Sequence, residues 1–285
     1  MFEINWLPKK TFEITVTIPW KEVDEAKSKA ISEAGKNLEL KGFRKGNAPP
    51  NMVVEALGPQ KLLELTLRDI IPEYYQKAIS ELKLNPIVTP KVQLLETKEG
   101  ESWKVKLISC VEPVVTLGNY KEELKKENAT KEIWTPGKGE EKKAEKKPEE
   151  ERDEKLNRAI DWLIKNIKVE VCDLIVDEEV SRKLSGLLEQ TQKLGLTVDQ
   201  YLSSTGKTVE QIREEYARQA QENLALEFIF SKIADEENIE VKPEDLEKVM
   251  AEAKTDEERK ALEGQKYYIA TILRRQKTLD FLASL

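Results

Sequence analysis

The chain has no histidine, and only two cysteines, Cys110 and Cys172, among its 285 residues. Without an imidazole there is no Ser–His or Cys–His nucleophile pair. A closed structural zinc site would need four thiolates or carboxylates, so it is effectively excluded. Aromatic residues make up 6% of the chain against 35% charged and 39% hydrophobic. That balance predicts a soluble, surface-rich protein, elongated rather than one large globule. No stretch reaches the roughly 20 apolar residues of a membrane span, and the opening "MFEINWLPKK" lacks the apolar core of a secretory signal. With so few thiols, a reducing cytoplasm is the expected compartment, with no membrane association. An excess of positive charge is missing too. The net charge of −7 argues against nonspecific binding to DNA or RNA by the chain as a whole. That charge is uneven: residues 1–113 carry 17 Lys/Arg against 16 Asp/Glu, whereas the remainder carries 30 against 38. Any anionic partner should therefore meet the N-terminal part.

Hydrophobic periodicity divides the chain. In "TFEITVTIP" (11–19), Phe12, Ile14, Val16 and Ile18 alternate with Thr11, Glu13, Thr15 and Thr17, a half-buried strand closed by Pro19. Residues 21–38 change to helical spacing through Val23, Ala26, Ala30, Ala34 and Leu38. A short helix over "NMVVEAL" should stop at Gly58-Pro59. A longer one should run from about Lys61 to Leu84, broken or kinked at Pro72. Two strands follow, "KVQLLET" and "SWKVKLISCVEP", with Gly100 at their turn. The first 113 residues read as β-α-α-β-β, which predicts an α+β domain with an antiparallel sheet backed by helices. "GKGEEKKAEKKPEEERDEK" has almost no apolar residue and cannot offset chain entropy by burial. Residues 116–150 are therefore expected to be a charged linker. From Glu151 onward the pattern is all helical. It shows N-terminal capping boxes at Thr197/Gln200, Thr208/Gln211 and Thr255/Glu258, a helix start at Pro243, and a last helix running nearly to Leu285. The expected organisation is 1–115, an α+β domain; 116–150, linker; and 151–285, an all-α domain of thin, elongated arms.

Two apparent motifs carry little. "TGKT" (205–208) resembles the tail of a phosphate-binding loop. The first glycine of that motif would fall at Tyr201, however, and helix rather than strand precedes it, so a capped turn between helices is the better reading. Acid pairs such as Glu178/Glu179 sit on polar helix faces without an apolar pocket to shift a pKa. Nothing here suggests catalysis, ATP use or any cofactor.

The strongest local signal is "KGFRKGNAPP" (41–50). It sets two glycines, two prolines, three cations and one phenylalanine between two helices. Arg44 offers a planar fork for phosphate or carboxylate. Phe43 can stack on a base or fill a shallow apolar pocket. From these residues alone, two readings stand level: a hairpin whose Phe43 folds back onto its own core, and an exposed binding tip.

Gly42-Phe43-Arg44-Lys45-Gly46-Asn47-Ala48-Pro49 matches the Gly-Phe-Arg-x-Gly-x-x-Pro signature at every fixed position, and there the chain resembles trigger factors, the ribosome-associated bacterial chaperones. "AISELKLNPIVTPKV", "KVKLISCVEPVVTLGNYK" and "LTVDQYLSSTGKTVEQIREEYARQAQENLALEFIFSKIADEENIEV" resemble further parts of that family, so the likeness covers all but about residues 121–150. It implies an ATP-independent chaperone that docks beside the ribosomal exit tunnel through Gly42, Phe43, Arg44, Lys45, Gly46 and Pro49. The implied partners are the large ribosomal subunit, through ribosomal RNA and a tunnel-rim protein, then unfolded nascent chains, and a weak homodimer off the ribosome. Relatives usually insert an FK506-binding-type prolyl isomerase between the two parts. The 30 residues from Lys121 to Glu150 fall below the roughly 50 residues of a domain, which implies that this head is missing. Where many relatives carry a cation, this chain has Asn47.

Overall fold

The computed structural model describes residues 2–40, 43–131, 148–251 and 255–285. It divides into two compact units, Met1–Glu112 and Pro113–Leu285.

The N-terminal unit is a four-stranded antiparallel sheet with one face under two helices. The strands are β1 (Phe2–Leu7), β2 (Thr11–Ile18), β3 (Lys91–Glu96) and β4 (Trp103–Cys110), in the order β1-β2-β4-β3. The helices are α1 (Trp20–Asn37) and α2 (Pro50–Leu82). Alternation in β2 does what its period dictates: Phe12, Ile14, Val16 and Ile18 are buried. Val16 pairs with Val105 and Ile14 with Leu107 across to β4. On the open face Lys106 reaches Glu13 at 3.1 Å. Ser109 sits on the covered face as a polar exception, satisfied by donating to Val88 O at 2.9 Å. Val23, Ile70, Ile71 and Ala78 from the helices close this core.

β1 is an addition to the three expected strands. Its hairpin tip, Pro8-Lys9-Lys10, holds both lysines at positive φ (58° and 55°) without the Asn or Gly that normally marks such a turn. In α2 the break falls at Gly58 (φ 73°, ψ 164°), where the short helix is expected to stop, whereas Pro72 neither ends the helix nor takes non-helical angles. The neighbours of Pro72, Ile70 and Ile71, are buried against the sheet, and that packing outweighs one lost backbone hydrogen bond.

The second unit is helical: α3 (Tyr120–Lys131), α4 (Pro148–Asn166), α5 (Asp173–Lys193), α6 (Val198–Thr205), α7 (Val209–Glu236), α8 (Pro243–Ala251), α9 (Asp256–Gly264) and α10 (Lys266–Ala283). Leu163, Ile229, Phe230, Ile233 and Leu282 form its core. Leu117, Tyr120 and Leu124 join that core, so the start of the expected linker belongs to this unit. Tyr120 and Leu124, one turn apart on α3, and Leu117 just before the helix supply apolar contacts that the charges around them conceal. Residues 132–147, the middle of the expected linker, lie outside the described residues. The expected single last helix is two, because the chain leaves helical geometry at Gln265 (φ −110°, ψ 14°). The boxes at Thr197 and Thr208 form in full. At Thr255 the forward bond, from Glu258 N–H to Thr255 Oγ1 at 3.2 Å, is present.

Candidate functional site

The segment joining α1 to α2 is the candidate site. α1 ends where the Leu38 N–H donates to Ala34 O at 3.0 Å. Lys41 and Gly42 lie outside the described residues. Beyond them the Phe43 N–H donates to Leu40 O at 3.1 Å, and the Asn47 N–H donates to Arg44 O at 2.9 Å. The second bond closes a turn over residues 44–47 with Gly46 third and at φ 85°, where a side chain would be strained. Pro49 then caps α2 through its carbonyl, which accepts from the Met52 and Val53 N–H groups at 3.0 and 3.2 Å. With Pro50 at the first helical position, the exit from the loop is stiff.

Phe43, Arg44, Lys45 and Gly46 are all exposed, Phe43 with 41% of its surface. Lys36, in the last turn of α1, is exposed too. An apolar ring next to two cations, on a turn closed by its own backbone, is a compact surface for a partner that is both anionic and apolar. It suits a phosphate backbone with a base or side chain beside it. Of the residues the signature singles out, the structure brings Phe43, Arg44, Lys45, Gly46 and Pro49 into one tip. Gly42 is outside the described residues. Sequence reasoning missed Met52, 40% exposed just past the loop, and the pair Gly35 and Val53 beneath it. An isolated glycine in a helical pattern was the one available signal for that pair.

A second surface lies in the helical unit. Around the end of α5, α6 and the start of α7, Leu188, Leu194, Leu196, Val198 and Val209 remain exposed, as do Tyr267, Tyr268 and Ile272 on α10. "TGKT" is a turn in which Gly206 ends α6 and Thr208 caps α7. Lys207 there is engaged by Glu215. No helix among the described residues is long and apolar enough to cross a membrane.

Residues 2–136 match the model of the bacterial trigger factor protein, and residues 138–284 match that of the trigger factor C-terminus. Among curated relatives, trigger factor from Streptococcus agalactiae serotype Ia is 32% identical over 120 residues, covering 42% of this chain and 28% of the relative. Trigger factor from Lactiplantibacillus plantarum is 34% identical over 110 residues, covering 39% of this chain and 25% of the relative. The matched stretch is thus well under two thirds of these relatives' length. A solved structure from work on promiscuous substrate recognition in folding and assembly by the trigger factor chaperone superposes with a TM-score of 0.59. It shares 15% identity and covers 99% of both chains, a likeness of fold. The chain belongs to the bacterial trigger factor family.

Proposed function

We propose that this protein is a cytoplasmic, ATP-independent chaperone that docks on the large ribosomal subunit near the exit tunnel and shields nascent chains. The observation that carries the reading is the tip itself: Phe43, Arg44 and Lys45, consecutive and exposed at a turn closed by the Asn47 N–H to Arg44 O bond. Arg44 and Lys45 meet ribosomal RNA phosphate and acidic groups on a tunnel-rim protein, and Phe43 adds an apolar or stacking contact. The exposed apolar residues of α5–α7 and α10 then take unfolded segments weakly at several points, with avidity supplying residence time. No cofactor enters this scheme. The two family matches are separated by residue 137 alone. This supports a chaperone with no isomerase domain between its two parts, for which a prolyl-peptide assay should show no turnover.

The test is ribosome co-sedimentation of the wild type beside the Phe43→Ala, Arg44→Ala, Lys45→Ala triple variant. The variant should keep its fold and lose binding, and wild-type binding should weaken as salt rises because phosphate contacts release counterions. Unchanged binding by the variant, or a flat salt titration, would overturn the assignment. A second reading, a holdase independent of ribosomes, draws on the exposed Leu194, Leu196, Val198 and Val209. It predicts suppressed client aggregation with no ribosome binding by the wild type.

A further inference from the structure

Helix α2 is two helices laid end to end. A Cβ built on Gly58 meets nothing within 4 Å, so Gly58 is there for its backbone angles and not for space. Beyond it Leu62, Thr66, Ile70, Ile71 and Ala78 are buried, which fixes residues 59–82 in the unit. The break uncouples residues 50–57, and the tip that precedes them, from that rigid part. Pro49 and Pro50 stiffen φ but donate no hydrogen bond. Something else must hold residues 50–57, and Val53 is the one residue among them that is buried, 1% exposed.

The partner of Val53 is Gly35, near the end of α1. A Cβ built on Gly35 would lie 3.3 Å from Val53 Cγ2, closer than side chains ordinarily pack, and 4.0 Å from Val53 Cγ1. Gly35 is not among the positive-φ residues, so its angles give no reason for a glycine there. Glycine is the weakest helix former after proline, and its presence in α1 is explained by the close approach of Val53. One residue on, the tip turn rests on the same helix end. A Cβ on Gly46 would stand 3.7 Å from Lys36 O and 3.9 Å from Lys36 Cα. Residues 35 and 36 therefore support both the short helix and the turn that carries Arg44 and Lys45.

We infer that Gly35 and Val53 form a latch that orients the Phe43–Arg44–Lys45 tip for docking, restraining a hinge at Gly58. Both are positioning residues. A side chain at 35 wedges residues 50–57 away from α1, and Gly58 lets them swing rather than unfold the sheet domain. The inference rests on the docking reading above.

The test uses the full chain and three variants: Gly35→Leu as the wedge, Val53→Ala as the loosened latch, and the double substitution, in which the smaller residue 53 makes room for the larger residue 35. The wedge should weaken ribosome co-sedimentation about tenfold while the double returns to within about twofold of wild type, as expected when a binding group is displaced and then restored. Amide exchange gives a readout that needs no ribosome. The Phe43 and Asn47 N–H groups, bonded to Leu40 O and Arg44 O, should exchange faster in the wedge and in Val53→Ala, and slow again in the double, with β2 and β4 unchanged throughout. Wild-type affinity in the wedge, or a double no better than the wedge, overturns the latch. If the wild type itself does not bind ribosomes, the docking reading fails, and exchange at Phe43 and Asn47 alone decides: unaltered protection in the variants overturns the latch. Should Gly35→Leu not fold, Val53→Ala decides by the same exchange criterion.

Discussion

The two units separate apolar burial from exposed chemistry to different degrees. In the N-terminal unit, β2 and β4 send their apolar residues under the helices, and the candidate tip lies beyond the sheet on a loop of its own. In the helical unit the same helices do both jobs. α5 and α7 bury Val180, Ile212 and Ala220 yet leave Leu188 and Val209 exposed. The difference is one of geometry. A sheet with a single covered face sorts its residues by a period of two, whereas a helix stripe is about a third of a cylinder and its edges grade into solvent. A function carried by an isolated loop can be cut out without touching the core. A function carried by the margins of packing stripes cannot be removed at one stroke.

The strongest way to break this contrast is to damage one core and watch the other unit. Leu107 is fully buried opposite Ile14 in the central strand pair. Leu107→Ala should cost the N-terminal unit about 3 kcal/mol, the usual loss for a core leucine truncated to alanine. Hydrogen exchange in β2 and β4 would accelerate accordingly, while amides of α7 should be unaffected. Equal acceleration in both would mean the units share one cooperative core. The next largest effect belongs to the helical unit. Thr208 accepts the Gln211 N–H at 3.2 Å, and the Gln211 side chain accepts from the Thr208 N–H at 2.9 Å. Thr208→Ala should cost about 1 kcal/mol, read as faster exchange in the first turn of α7 and a lower melting temperature.

How much was legible in the sequence follows from the same geometry. The strand at 11–18, the capping boxes at Thr197 and Thr208 and the helix start at Pro243 were readable because each rests on local spacing that burial or hydrogen bonding obeys. β1 was not, because Lys9-Lys10 carries none of the usual turn signal and tertiary pairing holds it in place. α3 was hidden by charge: Lys121, Glu122, Glu123, Lys125 and Lys126 surround Tyr120 and Leu124, and three buried residues suffice to dock the segment. The exposed turn at residues 43–47 was legible only as an irregular loop between two helical patterns, because its glycines and prolines left a folded-back Phe43 and an exposed one equally open. Its support by Gly35 and Val53 was not, because a contact between two helices leaves no periodic trace.

A smaller effect tests how that concealed segment is held. Glu237, after the last turn of α7, accepts from Lys121 Nζ at 2.6 Å and from the Tyr120 hydroxyl at 2.9 Å. The Lys121 hydrogen bond, ahead of the Tyr120 one, holds the Glu237 carboxyl below its ordinary pKa, against the opposing push of burial. A carboxyl lowered in the folded state contributes stability in full above its unfolded pKa, and that contribution disappears as pH falls through the folded value. The melting temperature of the helical unit should therefore drop on acidification below about pH 5 more steeply in wild type than in Glu237→Gln, with the two converging at the acid end. Parallel curves would show that the contact does not contribute to docking α3.

The smallest change in stability should come with a change in function, and it sharpens the contrast most. Leu194, 76% exposed just past the end of α5, and Leu196 beside it lie in the turn between α5 and α6. Replacing both with serine removes little burial at Leu194 and somewhat more at Leu196, 41% exposed, so stability should fall by no more than about 1 kcal/mol. If these residues hold unfolded segments, suppression of client aggregation by the purified protein should weaken but persist. Several weak contacts act together, and the loss of one lowers avidity without abolishing it. The tip triple variant is expected to behave in the opposite way, with docking lost outright from three side chains. A serine pair that abolished client holding would show that the helical unit concentrates its function as tightly as the N-terminal unit does. A pair that left holding untouched would move the client surface elsewhere, with Tyr267, Tyr268 and Ile272 on α10 as the next residues to change.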